Sequence, residues 1–310
     1  MQPVLAVRDI SKRFGAIRAV DGVSFAVRPG TITGLLGRNG AGKTTCLRMI
    51  TGVFLPDSGS IETFGSSNGG DTARDRIGYL PEERGLYRKM KVLEHLLFLA
   101  EVKRPLTSEV RERARRWLTR LDLWEKRDAR VEELSKGNQQ KVQLIGALLH
   151  DPELVILDEP TSGLDPVNVV LVRRIFNELK AEGRTILLST HMMAEAEKTV
   201  DEIVLIHEGR VVLSGELAKV RSSFGKNNVL LEFSGDGSFL AALPEVEGSS
   251  LQTNRAELKL RAGADPQAVL SAAVPSLRVS RFEIVEPSLE EIFIERVGSA
   301  APTAAVGTAS

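Results

Sequence analysis

A glycine-rich segment stands between an apolar run and a helical pattern, where it could bind phosphate groups. Residues 37–44 read Gly-Arg-Asn-Gly-Ala-Gly-Lys-Thr and match the pattern G-x-x-x-x-G-K-[ST]. Glycines allow backbone N–H groups to wrap around phosphate oxygens, and the N-terminus of the following helix adds a partial positive charge. In this pattern Lys43 reaches the β- and γ-phosphates, and the Thr44 hydroxyl binds Mg²⁺. The sequence therefore predicts a site for magnesium and a nucleoside triphosphate, with ATP as the expected nucleotide.

The predicted nucleotide contacts come from the whole loop and from the residue that follows it. They are Gly37, Arg38, Asn39, Gly40, Ala41, Gly42, Lys43, Thr44 and Thr45. A glycine turn beside a surface lysine is the structural alternative, and the full match between a strand and a helix argues against it. The loop alone does not distinguish kinases, GTPases and motor ATPases.

Two adjacent carboxylates follow the apolar residues 154–157, which have the pattern of a buried strand. Open α/β sheets hold their ligands at the carboxyl ends of parallel strands, so Asp158 and Glu159 are expected at the phosphate loop. Asp158 is predicted to hold the magnesium ion. Glu159 is predicted to orient or deprotonate the attacking water. Solvated acids at a strand end are the alternative, and the phosphate loop earlier in the chain makes it the weaker one.

A third motif opens a predicted helix just before this strand. Residues 134–141 read Leu-Ser-Lys-Gly-Asn-Gln-Gln-Lys. A serine and a glycine at a helix N-terminus form a second anion-binding end, although Ser135 by itself would be explained as a helix N-cap.

The order of these motifs resembles that of the ATP-binding cassette (ABC) ATPases over about residues 3–220. The family's usual signature is Leu-Ser-Gly-Gly-Gln, and here Lys136 and Asn138 replace its first glycine and its glutamine. The resemblance implies that Ser135 and Gly137 contact the ATP held by a second copy of the chain.

Further positions acquire roles through the same resemblance. Residues 162–165 match the family's D-loop, which communicates across the dimer, and His191 matches the switch histidine at the γ-phosphate. Phe14 matches the aromatic residue that stacks on adenine; without the resemblance it would be taken as a core residue. Where the family usually has a Q-loop glutamine this chain has Glu82, which is predicted as a further contact to the metal.

Two more segments connect the resemblance to a membrane partner. Residues 84–99 follow Glu82 and correspond to the helical region that docks on membrane subunits, with Gly85, Leu86 and Tyr87 as candidate contacts. A packed helical lobe is the alternative. Residues 286–293 resemble the accessory domain of ATPase subunits of ABC-2-type exporters, which move drugs, sodium, polysaccharides or other cargo. The resemblance implies an energising subunit with separate transmembrane permease subunits, at the inner face of the membrane.

The composition is typical of a globular protein, and the chain has no net charge. Apolar residues make up 42%, the 41 basic residues equal the 41 acidic ones, and Cys46 is the single cysteine. These values predict a soluble, cytoplasmic protein without disulfides, and no nucleic-acid partner is expected. Four arginines in residues 111–116 could form a nucleic-acid patch, and a solvated helix face is the preferred interpretation.

The elements that position these residues alternate between strand and helix, which predicts an α/β P-loop fold with a mixed sheet. The predicted ATPase domain covers residues 1–222, with a helical subdomain at about 85–150. A small α+β accessory domain is predicted for residues 228–297, of split βαβ type, and a disordered tail for 298–310.

Two other functional classes are open to a chain with this phosphate loop. One is a soluble cassette ATPase acting on nucleic acid or ribosomes; the single phosphate loop, the lack of a long insertion and the neutral charge disfavour it. The other is a small-molecule P-loop kinase, which has no use for the signature, the D-loop residues and His191 in this order.

Overall fold

The computed structural model describes residues 2–67, 75–83, 85–103, 105–225, 228–261 and 263–298. It divides into two compact units between Gly215 and Glu216. This division precedes the boundary expected at residue 222, because the helix at 217–223 belongs with the second unit. The tail predicted beyond Gly298 lies outside the described residues.

The first unit contains two sheets. Its strands are β1 (Leu5–Phe14), β2 (Ile17–Val27), β3 (Ile32–Leu36), β4 (Ser58–Thr63), β5 (Ser66–Ser67), β6 (Ile77–Leu80), β7 (Leu154–Asp158), β8 (Thr185–Thr190), β9 (Glu202–His207) and β10 (Arg210–Glu216). An antiparallel sheet has the order β2-β1-β4-β5, and a larger sheet has the order β10-β9-β3-β8-β7-β6. The mixed architecture predicted from the sequence is therefore confirmed.

The larger sheet is parallel from β9 to β6. Strands β3, β7 and β8 are buried at every position, which explains their continuous apolar sequences. The register places Leu36 opposite Thr190 and Asp158 opposite Ser189. The carboxyl ends of β3, β7 and β8 therefore meet at one edge of the sheet, where the phosphate loop begins.

The described residues of the first unit also form six α-helices. They are α1 (Lys43–Ile50), α2 (Val92–Lys103), α3 (Ser108–Arg120), α4 (Lys136–Leu148), α5 (Pro166–Ala181) and α6 (Met193–Ala196). The helical pattern that the sequence shows over residues 92–124 forms two helices, α2 and α3. Pro105 interrupts the pattern, and Thr107 caps α3 by accepting a hydrogen bond from the Val110 amide.

The described residues of the second unit form an antiparallel sheet and three α-helices. Its elements are α7 (Leu217–Ser223), β11 (Asn228–Ser234), β12 (Val246–Gln252), β13 (Arg255–Leu260), α8 (Pro266–Ala273), β14 (Arg278–Val285) and α9 (Leu289–Gly298). The strand order is β12-β13-β11-β14. Strands β13 and β14 are both antiparallel to β11, which lies between them, so β13, α8 and β14 form a split βαβ unit. Within the described residues, no helix has the length and apolar character needed to cross a bilayer.

Candidate active site

The glycine loop fits between two neighbouring strands because its glycines lack side chains. A Cβ atom on Gly37 would stand 2.3 Å from the Ile206 carbonyl oxygen, and one on Gly42 would stand 2.4 Å from the Ala19 carbonyl oxygen. Gly40 has a φ of 81° and Gly42 a φ of 105°, conformations that favour glycine. The loop can therefore curl at the sheet edge with its backbone exposed to a ligand.

The Lys43 side chain lies across this loop and donates hydrogen bonds to backbone carbonyl oxygens of the loop. Its ammonium nitrogen donates to the Gly37 oxygen at 2.8 Å and to the Arg38 oxygen at 3.2 Å. The same nitrogen lies 3.6 Å from Oε1 of Glu159, and the lysine side chain is almost fully buried. A cation is thus fixed at the point where the loop, β7 and the start of α1 meet.

Asp158 is completely buried at the end of β7. Its Oδ1 accepts a hydrogen bond from the Ser189 hydroxyl, while Oδ2 has no partner within the described residues. Burial raises the pKa of this carboxyl, and the hydroxyls of Ser189 and Thr44 oppose the rise. A buried carboxylate oxygen without a partner beside a threonine hydroxyl is the donor set that a hard divalent cation prefers. These residues therefore fit Mg²⁺.

Glu159 lies between a lysine and a histidine. Its φ of 49° breaks the alternation of the strand, and its amide N–H points at the Ser189 hydroxyl at 3.2 Å. Oε1 is 2.9 Å from Nδ1 of His191 and 3.6 Å from the Lys43 nitrogen. The carboxylate is buried, whereas the His191 side chain remains 44% exposed. The arrangement places a buried carboxylate at the glycine loop, beside a histidine side chain that is still partly accessible.

Lys43, Thr44 and Glu159 line a cleft of about 380 Å³. It is lined by Ala19, Asn39, Gly40, Gly42, Lys43, Thr44, Thr45, Glu82 and Glu159. Glu82 lines this cleft and is exposed. No sequence motif points to Ala19 or Ser189. Ala19 contributes a backbone oxygen, and Ser189 is placed beside Asp158 by the strand register, and neither feature can be read from a motif.

Six predicted nucleotide contacts lie outside the lining of this cleft: Phe14, Gly37, Arg38, Ala41, Ser135 and Gly137. Phe14 ends β1 half-exposed, with its ring edge-on to Phe54 at 5.6 Å. Ser135 caps helix α4, where its hydroxyl accepts from the Asn138 amide at 3.3 Å, and Gly137 lies in the first turn. The single chain therefore brings together the loop, Asp158, Glu159, Glu82 and His191, and leaves the signature residues apart from them.

Helix α4 is nevertheless hydrogen-bonded to the segments that follow β7 and β6. Gln140 donates to the Pro160 oxygen at 3.2 Å. Gln143 donates to the oxygens of Pro81 and Glu83 at 3.0 and 3.1 Å, on either side of Glu82. Both glutamines are buried, and no sequence signal distinguished them from other helix residues.

An apolar groove of about 360 Å³ lies beside Gln143. Its walls include Val53, Tyr79, Leu86, Val102 and Gln143. The Tyr79 hydroxyl and Oε1 of Gln143 are buried without hydrogen-bond partners in the described part of the chain. Burial raises the pKa of Tyr79 to about 12, so the hydroxyl stays protonated and can donate. The groove thus offers apolar surface with one donor and one acceptor unmet.

Comparison with known protein families gives two matches. Residues 20–162 match the family described as ABC transporter. Residues 215–297 match the family described as ATP-binding protein DrrA1-3-like, C-terminal domain. The first match contains the phosphate loop, the signature segment and the two strand-end carboxylates.

Individual relatives are similar to most of the chain. The chain is 40% identical over 296 residues to an uncharacterized ABC transporter ATP-binding protein, YhaQ, of Bacillus subtilis (strain 168), covering 96% of this chain and 99% of that one. It is 39% identical over 216 residues to the Nod factor export ATP-binding protein I of Ralstonia nicotianae, covering 69% and 67%. A solved ATP-binding subunit of an ABC transporter matches with a TM-score of 0.66 and 37% identity, covering 72% of this chain and 93% of that chain.

Proposed function

The chain belongs to the ABC transporter family and is an ATPase, and from this premise we propose that it powers a multi-subunit exporter of the ABC-2 type. The observation that carries the ATPase assignment is the convergence of Lys43, Asp158, Glu159 and His191 at one sheet edge. The export function is supported by the C-terminal family match and by the relative named for Nod factor export.

Each residue of the site has a distinct task in the proposed reaction. Lys43 and the loop amides neutralise the β- and γ-phosphates. Glu159 orients the attacking water and accepts its proton, and His191 fixes the Glu159 carboxylate from the solvent side. Thr44, Asp158 and Glu82 would hold Mg²⁺, which supplies further neutralisation of phosphate charge.

The site is completed by a second copy of the chain. Ser135 and Gly137 lie outside the cleft of their own chain and stand at the N-terminus of α4, a position suited to a phosphate. In the proposed dimer they close over the γ-phosphate of the other copy's ATP. ATP then favours the closed state and hydrolysis favours the open state.

Glu159→Gln tests the catalytic assignment. The variant keeps the size and most contacts of the side chain but cannot accept a proton, so it should bind ATP, lose at least about a hundredfold in turnover, and accumulate as an ATP-bound dimer. Turnover and size-exclusion chromatography with ATP measure both effects. Turnover at the wild-type rate would remove Glu159 from its role, and a monomer with ATP bound would count against the dimer.

The apolar groove beside Gln143 is the proposed docking surface for a permease subunit. It lies against residues 81–83, so an occupant would contact the segment that carries Glu82 into the cleft. The unmet Tyr79 hydroxyl and Gln143 oxygen would bond to polar groups of that occupant. Through this contact the protein would sit at the cytoplasmic face of the membrane.

Val102→Asp tests the docking surface without disturbing the core, since this side chain is 68% exposed. We expect the variant to hydrolyse ATP in isolation and to be lost from gently solubilised membrane complexes that contain the wild-type chain. Val274→Asp, at a valine 59% exposed in the second unit, is the matched control. Equal membrane association of wild type and Val102→Asp would show that the groove is not the docking surface.

A further inference from the structure

Two phenylalanines, Phe14 and Phe54, form a pair of perpendicular rings at the end of β1. Their ring centres are 5.6 Å apart, and the ring planes meet at 86°. Aromatic pairs favour this geometry, because it brings the positive edge of one ring to the negative face of the other. Phe14 is 48% exposed, whereas Phe54 is partly buried and packs against the hydrophobic core of the first unit. Phe54 is therefore the anchored member of the pair and Phe14 the accessible one.

A lysine ammonium group lies beside both rings. The Lys12 nitrogen is 5.9 Å from the centre of the Phe14 ring and 5.6 Å from the centre of the Phe54 ring, within the range of cation–π attraction. Together with the distance between the two rings, these values describe a nearly equilateral triangle. Phe54 and Lys12 therefore support Phe14 from the same side, and the opposite side of the Phe14 ring is the one exposed to solvent.

Hydrogen bonds fasten the segment that carries Phe54 to the end of β1. The Lys12 nitrogen donates to the Leu55 carbonyl oxygen at 2.9 Å and to Oδ1 of Asp57 at 2.6 Å. The Arg13 amide donates to Oδ2 of Asp57 at 2.8 Å. Only 17% of the Lys12 side chain is exposed, so its charge is held in this position. The two rings are thus fixed relative to each other by the chain segments that carry them as well as by their own contact.

The accessible ring of Phe14 belongs to a hairpin that borders the nucleotide cleft. Phe14 lies opposite Ile17 in the pairing of β1 with β2. Two residues further along β2, Ala19 lines the cleft, and its carbonyl oxygen is the atom that a Cβ on Gly42 would approach to 2.4 Å. At about 3.3 Å per strand residue, the end of the hairpin stands roughly 7 Å beyond Ala19. A nucleotide whose phosphates occupy the loop can extend its flat base to this point.

We propose that Phe54, supported by Lys12, is a positioning residue for the nucleotide base, because it holds Phe14 with one face free for stacking. A lone exposed phenylalanine samples several rotamers, and restricting it to one costs free energy on binding. The perpendicular contact with Phe54 restricts Phe14 before the nucleotide arrives. This inference rests on the predicted stacking of the base on Phe14, and it adds a residue that no sequence motif indicates.

Phe54→Leu tests the proposal, since leucine keeps an apolar side chain against the core but removes the ring. The dissociation constant of ADP with Mg²⁺, measured by isothermal titration calorimetry, should rise about threefold to tenfold. Inorganic pyrophosphate has two linked phosphates but no base, so its affinity should be unchanged. In steady-state hydrolysis the KM for ATP should rise by the same factor at constant kcat. Phe54→Tyr keeps the ring and should bind ADP as the wild type does.

Leu55→Ala is the matched control in the same segment. The Leu55 side chain is 64% exposed, and the substitution keeps the backbone carbonyl that accepts from Lys12. It should leave the affinity for ADP unchanged. Equal losses of ADP and pyrophosphate affinity in Phe54→Leu would indicate a general structural role and would overturn the proposal.

Phe14→Ala separates the positioning role of Phe54 from the stacking on which it rests. This variant should weaken ADP binding at least as much as Phe54→Leu does. If Phe14→Ala weakens ADP binding and Phe54→Leu does not, the stacking stands and Phe54 is not a positioning residue. If neither variant changes ADP binding, the base does not stack on Phe14 and the proposal is wrong, whereas the ATPase assignment, which depends on Lys43 and Glu159, is unaffected.

Discussion

The opposite pKa shifts of two aspartates show how the environment decides whether an ionised carboxylate stabilises or destabilises the fold. Burial raises the pKa of Asp158, whose Oδ2 also lacks a partner in the described structure. The hydrogen bond from Lys12, supported by the Arg13 amide, lowers the pKa of the exposed Asp57. The ionised form of Asp158 therefore costs stability in the absence of a cation, whereas the ionised form of Asp57 contributes stability.

The two corresponding asparagine variants should change stability in opposite directions. Asp158→Asn removes a buried unpaired charge and should raise the free energy of unfolding of the nucleotide-free protein by about 1–3 kcal/mol. It should also abolish magnesium-dependent hydrolysis. The gain should shrink as the pH falls through the raised pKa, because protonation then removes the same charge from the wild type.

Asp57→Asn provides the contrasting measurement. It should lower stability at neutral pH, and its difference from wild type should vanish as acid protonates Asp57 below its ordinary pKa. Denaturant unfolding at several pH values measures both variants. A loss of stability in Asp158→Asn at neutral pH would contradict this account of the metal site.

At the scale of elements, helix α4 connects the site to the loops around it. Ser135 caps its N-terminus, Gln140 holds the loop after β7, and Gln143 holds the segment after β6. The departures at Lys136 and Asn138 leave the cap intact, because the cap needs only the Ser135 oxygen and the Asn138 backbone amide. The capping role and the proposed phosphate role of Ser135 therefore coincide in one side chain.

Substitutions at Ser135 can separate these two roles. Ser135→Ala should cost about 1 kcal/mol through loss of the cap and should also impair hydrolysis. Ser135→Asp keeps a capping oxygen and should preserve thermal stability, but its charge should repel the γ-phosphate and prevent ATP-dependent dimerisation. Thermal unfolding and ATP-dependent dimerisation are the measurements. Normal dimerisation of Ser135→Asp would exclude this residue from the closing contact.

At the scale of the whole molecule, the motif at residues 286–293 links several elements of the second unit. Arg221 of helix α7 donates to the Glu286 carbonyl at 3.3 Å. Ser288 and Glu291 form reciprocal hydrogen bonds at the start of α9, and Glu291 also accepts from Asn228 at 2.7 Å. The motif thus connects α7, β11 and α9, and these hydrogen bonds give a structural reason for its polar residues.

Glu291→Ala should loosen the second unit selectively. The variant removes the bonds to Ser288 and Asn228, so hydrogen exchange should accelerate in residues 216–298 while residues 2–215 keep their protection. Glu290→Ala, at the exposed neighbouring position, is the control and should leave exchange unchanged. Equal acceleration in both units would indicate that they unfold together.

Sequence patterns determined the local parts of this protein. The glycine loop, the apolar strand before Asp158 and the βαβ alternation are short-range features, and the predicted P-loop fold is confirmed. The roles of all the site residues stay predictions, and those of Phe14, Ser135, Gly137, Glu82 and His191 rest on the resemblance. They depend on a bound nucleotide, a metal or a second chain.

Only the tertiary structure decided how distant residues act on one another. Lys43, Glu159 and His191 are far apart in sequence and meet because β3, β7 and β8 are adjacent and parallel, so their carboxyl ends coincide. The same register leaves Asp158 buried beside Ser189. The end of α4 and the segment before β8 bring Asp151 and Arg184 close to the arginines of α3. Sequence spacing fixes which side chains share an element, whereas burial, pKa and clefts depend on how elements pack.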